Sequence, residues 1–136
     1  MKTHSHLDYA DAQRIVNASI EAAASLGLAA SIAVLDPAGH LVLLARRDGA
    51  SFQTPDVARG KALTSAMMKK PSGIIETATL ARLTLASFDD GRLPIQGGLP
   101  VFSGDQLVGA VGVSGGTPDQ DEAIAKAGID AWAAAA

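Results

Sequence analysis

A chain of 136 residues has the size of one domain and is too short for two ordinary ones. Apolar residues make up 48% of it and aromatic ones 4%, so Ala, Val, Ile and Leu must build the core and any pocket is lined by aliphatics and backbone. A net charge of −3 argues against a nucleic-acid partner, and the absence of cysteine removes disulfides, thiolate metal sites and thiol nucleophiles together.

In chain order, Ile15, Val16, Ile20, Ala23 and Leu26 recur at helical spacing, which predicts a helix from Asp8 to Leu26 with Asp8 as cap and Gly27 past its end. The β-rich runs 31–35 and 41–44 are split by Asp36-Pro37-Ala38-Gly39 and read as a hairpin covered at least partly on both faces. Thr54-Pro55-Asp56 predicts a second helix, with Thr54 as N-cap hydroxyl, running to about Lys69. A third helix is expected from Ser72 to about Phe88, then an irregular loop from Gly91 to Gly98. A second hairpin follows, Leu99 to Phe102 with Gln106 to Val113. Thr117-Pro118-Asp119 repeats the earlier start, with Gln120 completing a capping box, and the tail Ala133–Ala136 is expected to fray. No apolar run reaches the length of a membrane span and the N-terminus lacks a signal-peptide core, so a cytoplasmic protein with no membrane partner is expected.

Candidate chemistry is scattered. Gly109 to Thr117 places glycines between a buried strand and a helix N-terminus, where backbone N–H groups can meet an anion; Gly115 is the candidate contact. It is neither a dinucleotide fingerprint nor a P-loop, and close helix packing explains Gly109 and Gly112 equally well. In Gln96-Gly97-Gly98 the paired glycines admit a ligand or another backbone. Arg59 and Lys61 on the second helix could hold an anionic substrate. Glu76, alone in an uncharged stretch, is the best general-base candidate, and His40 after the first turn could move a proton or ligate iron. His4 and His6 suit adventitious metal binding, and no set of ligands at metal spacing exists, so no metal site is expected.

The stretches Ala33 to Leu41, Arg46 to Ala50, Gly60-Lys61-Ala62, Gly97 to Val101 and Val108 to Ala123 together resemble the GlcG/HbpS-like family of haem-binding or haem-degrading proteins, which includes the C-terminal domain of PduO-type proteins. The resemblance spans 1–136 as one domain. It implies a profilin-like or roadblock-like α/β/α sandwich with a mainly antiparallel five-stranded sheet, assembly into homo-oligomers from dimer to octamer, and a small-molecule pocket that takes haem or a related tetrapyrrole. Residues 74–92 are more helical and apolar than the family's usual connection, which leaves room for a different small molecule. Three readings therefore stand: a haem-type binding protein; a non-haem enzyme using Glu76 or His40 on an anionic or carbonyl-bearing substrate held by Arg59 and Lys61; and an oligomeric accessory protein without catalysis.

Overall fold

The computed structural model describes residues 1–135. Helix α1 (Tyr9–Ser25) leads into strands β1 (Ser31–Leu35) and β2 (Leu41–Arg46). Helices α2 (Thr54–Met68) and α3 (Ser72–Ala81) follow, then a single 3₁₀ turn (Leu83–Ala86), strands β3 (Gly98–Ser103) and β4 (Gln106–Ser114), and helix α4 (Pro118–Ala135). The sheet is antiparallel throughout in the order β2-β1-β4-β3. It therefore has four strands and not the five that the resemblance implied. Residues 87–97 form a loop, anchored by the Leu93 N–H on the Gly60 carbonyl, and contribute no strand.

Strand alternation divides the core in two. Ile32 and Val34 of β1, with Val111 and Val113 of β4, face α1 and α4 and pack on Ile15, Val16 and Ile124. Ala33, Leu35 and Ala110 face the other way, onto Ala58, Ala62 and Ala66 of α2. These three alanines recur every fourth residue, so one stripe of α2 carries only methyl groups. The stripe lets the helix settle onto the sheet backbone. A Cβ at Gly112 would overlap the Ala58 carbonyl oxygen and lie 2.7 Å from the Ala62 nitrogen. Of the two roles open to Gly112, the structure shows helix packing.

The caps are more varied than the letters suggest. Asp8 and Asp11 form a reciprocal capping box on α1. Thr117 caps α4 as expected: its hydroxyl accepts from the Gln120 N–H, and its own N–H donates to Gln120 Oε1. Thr54 does not cap α2. It is the first residue of the helix, with Gln53 at the cap position, and its hydroxyl donates to the Ser51 carbonyl at 2.7 Å while bonding to the buried Ser31 hydroxyl. Helix α3 is shorter than the expected span to Phe88. Thr77 and Thr79 turn their hydroxyls back onto carbonyls four residues earlier, and Arg82 takes an extended conformation that ends the helix. The tail residues 133–135 continue α4, and Ala136 lies outside the described residues. No helix among the described residues is long and apolar enough to cross a membrane.

Helices α1 and α4 are tied by Asp11, whose carboxylate accepts from the Trp132 indole N–H at 3.0 Å. Burial pushes the Asp11 carboxyl up, but hydrogen bonds from the Asp8 N–H and Trp132 outweigh it and leave its pKa below the ordinary value. A depressed carboxyl adds stability above the ordinary carboxylate pKa of about 4 and loses it as pH falls through the lower folded value. Urea midpoints measured from pH 6 down to pH 2 should therefore fall less steeply for Trp132→Phe than for the parent. Gly112→Ala should cost about 3 kcal/mol in the same assay, because backbone has to move to admit the methyl. Gly73→Ala, whose added carbon would lie 2.9 Å from Gln96 Cγ and so needs only that one side chain to shift, should lower the midpoint less than Gly112→Ala does.

Candidate functional site

Two clefts flank α2 and α3, and the residues singled out from the sequence divide between them and the interior. The first, about 460 Å³, lies between α2 and the turn of the first hairpin, closed on a third side by Asp90 and Gly91. Asp56, Arg59, Leu63 and Met67 of α2 line it. Arg59, Leu63 and Met67 are spaced four apart and so form one stripe of the helix, charged at one end and apolar along the rest. Arg59 is exposed and pairs with no carboxylate among the described residues. Asp90 is bound by Arg92, whose Nη2 lies 2.6 Å away, and that pairing holds the Asp90 carboxyl below its usual range. Arg92 in turn stacks on Phe88. With Asp90 so paired, the charges that face this cleft without an ion-pair partner among the described residues are the Arg59 guanidinium and the Asp56 carboxylate one turn before it.

His40 follows the turn that borders the first cleft but does not line it. Its side chain is exposed, and its backbone N–H donates to Asp36 Oδ1, as does that of Ala38.

The second cleft, about 610 Å³, runs between α3 and the start of α4 and is lined by Gly73, Ile74, Thr77, Ala78, Gln96 and Glu122. Here the structure brings Glu76 and Gln96 together. Glu76 Oε1 accepts from the Gln96 N–H at 2.8 Å, and the Gln96 side-chain amide donates to Asp119 Oδ1 at 3.0 Å. The Glu76 carboxylate thus holds the loop before β3 in place.

Lys61 reaches neither cleft. Its side chain is 4% exposed, and its ammonium donates to the Val113 carbonyl and to Asp121 Oδ2, both at 2.9 Å. The other Asp121 oxygen accepts from the Gly116 N–H. One buried ion pair therefore joins α2, the end of β4 and the first turn of α4. It also explains the paired glycines. A Cβ on Gly97 would lie 2.8 Å from the Lys61 ammonium, and one on Gly98 would overlap the Lys61 carbonyl. The close approach foreseen at Gly97-Gly98 is that of the protein's own backbone and lysine. Gly115 is exposed and abuts Ala29 and Ala30, away from both clefts. Sequence reasoning missed Asp121, which stands sixty places from its partner; its one signal was the position just inside a capped helix. Among the described residues no three or more His, Cys, Asp or Glu side chains gather as a metal site would require.

The family model described as haem-degrading protein, HbpS-like, matches residues 7–130. The chain belongs to this family. Escherichia coli protein GlcG is 35% identical over 114 residues, 84% of this chain and 85% of GlcG. The crystal structure of Klebsiella pneumoniae protein ORFY superposes with a TM-score of 0.94 at 30% identity, covering 98% of this chain and 95% of that one. A double mutant of Streptomyces reticuli HbpS superposes at 0.90 with 32% identity over 96% and 89% of the two chains. This HbpS-like chain thus shares sequence and fold over nearly its whole length with these relatives.

Removing the lysine tests the central ion pair. Lys61→Met should cost about 3–5 kcal/mol by urea denaturation, since it leaves Asp121 charged and buried. Adding Asp121→Asn, which keeps an acceptor for Gly116, should restore part of the loss.

Proposed function

We propose that this chain is a small-molecule-binding protein of the HbpS type and that its ligand, haem or a related tetrapyrrole, sits in the cleft between α2 and the first hairpin turn. The observation that carries this is the Arg59, Leu63, Met67 stripe, a guanidinium without a protein partner at the head of an apolar wall. Such a wall suits a flat apolar molecule with a carboxylate at its edge, because the guanidinium binds carboxylate through paired N–H donors while the apolar body leaves water. The residues present fit haem in kind: Arg59 would hold a propionate, Leu63 would cover the ring, and the Met67 thioether would ligand iron. Haem, when bound, would supply redox or oxygen chemistry; the chain's own part is to bind it, orient it and exclude water. Membership of a family described as haem-degrading supports the same ligand.

The acid/base alternative draws less support. The Glu76 carboxylate is occupied with the Gln96 N–H, and Lys61 is spent inside the protein and cannot hold a substrate.

Haemin titrated into the purified protein should give a saturable, shifted Soret band. Arg59→Ala should weaken binding about tenfold, as loss of a charge-assisted hydrogen bond of about 1.4 kcal/mol or more requires. Met67→Leu should retain binding but move the band. A featureless spectrum, or equal affinity in the parent and Arg59→Ala, would overturn the assignment.

A further inference from the structure

The first cleft holds two unpaired charges of opposite sign, and haem would use only one of them. Asp56 and Arg59 lie three positions apart on α2, which sets them side by side on one face of the helix with Cβ atoms about 5–6 Å apart. Neither forms an ion pair with the other or with any described residue. Asp90, on the third side of the cleft, is different. Its carboxylate accepts from Nε, Nη2 and the backbone N–H of Arg92, so it needs no donor from a ligand. Among the described lining residues Asp56 is therefore the carboxylate whose oxygens are open to a ligand.

That acceptor bears on what the cleft admits. In haem all four pyrrole nitrogens hold the iron, and the polar groups at the edge of the ring are two propionates. With one propionate on Arg59, haem brings no donor to Asp56 and sets like charges about 6 Å apart, a repulsion that weakens binding about threefold even in water. A ring-opened tetrapyrrole differs in its nitrogens. Free of iron, its pyrrole and lactam rings carry N–H groups, and its propionates sit on flexible arms. One such molecule can donate an N–H to Asp56 while giving a carboxylate to Arg59, each a charge-assisted hydrogen bond. The wall of Leu63 and Met67 serves either ligand as apolar surface.

We infer that Asp56 is the specificity-determining residue of this cleft, selecting a linear tetrapyrrole with free N–H donors over haem. The inference rests on the tetrapyrrole proposed above for the first cleft and narrows that ligand to its ring-opened class. Asp56 also stands in the first turn of α2, where a carboxylate favours the helix dipole. That structural role is blind to the ligand. A loosened helix weakens every ligand alike, whereas a lost acceptor weakens only the ligand that donates to it.

Biliverdin and haemin, titrated separately into the purified full chain at low salt and followed by their visible absorption, supply the test. The parent should bind biliverdin at least about tenfold more tightly than haemin, as one added charge-assisted hydrogen bond requires. Asp56→Asn keeps the shape of the side chain and removes its charge. It should weaken biliverdin about tenfold, the difference between a charge-assisted and a neutral hydrogen bond, and tighten haemin about threefold by ending the repulsion. Arg59→Ala should weaken both, since both give it a carboxylate. Equal affinity of the parent for the two ligands, or an Asp56→Asn change of the same sign for both, would sink the inference and leave a haem-type ligand standing. A parent that binds neither, or an Arg59→Ala variant that binds both as the parent does, would remove the tetrapyrrole from this cleft and the inference with it.

Discussion

The backbone of α2 lies against β4 so closely that a Cβ on Gly112 would not fit between them, and the helix meets the sheet there through the buried methyls of Ala58, Ala62 and Ala66. This closeness sets the height of α2 over the sheet, and with it where Arg59, Leu63 and Met67 emerge. It also limits the adhesion available. Alanine methyls contribute only about 0.8 kcal/mol each on burial, much less than the leucines and isoleucines of a usual helix–sheet contact. The opposite layer has Ile15, Ile32 and Ile124 to bind it. On the α2 side the buried Lys61–Asp121 pair complements the thin apolar contact. It fixes the helix to β4 and α4 through groups that tolerate few alternative geometries.

That pin also organises the neighbouring loops. The lysine passes under Gly97 and Gly98, and the loop that closes over it is held by Glu76, by Ser72 and by the side chain of Gln96. Residues that a surface view would assign to ligand binding thus assemble the scaffold. The lining of the first cleft falls to the outer stripe of the same helix. One helix therefore packs on the sheet along one stripe and lines the cleft along another, the two offset by a single residue.

Much of this was legible in the residues. Both hairpins and the start of α4 followed from turn chemistry, capping and spacing, all of which act over a few positions, whereas the choice between the two roles of Gly112 did not. What escaped was decided at longer range. Thr54 has the letters of a cap, yet it bonds to Ser31 on a strand that no local pattern connects to it. Lys61 is ordinary in its own helix and becomes buried only because Asp121 meets it from the far end of the chain. Residues 82–97 form no fifth strand because Arg82 breaks the helix and Leu93 then anchors the following loop on α2. Arg59 was named only as a candidate to hold an anion, beside Lys61, and its alignment with Leu63 and Met67 became visible only with the hairpin turn lying above them.

The α1–α4 contact gives the molecule an optical asymmetry. Trp132 is the chain's one tryptophan, and its indole is bonded to Asp11 across that layer. Its emission therefore reports on the side of the sheet opposite α2. Loosening of α2 would leave the fluorescence almost silent while far-ultraviolet dichroism changed, so a gap between the two signals would mark the layer that opens first.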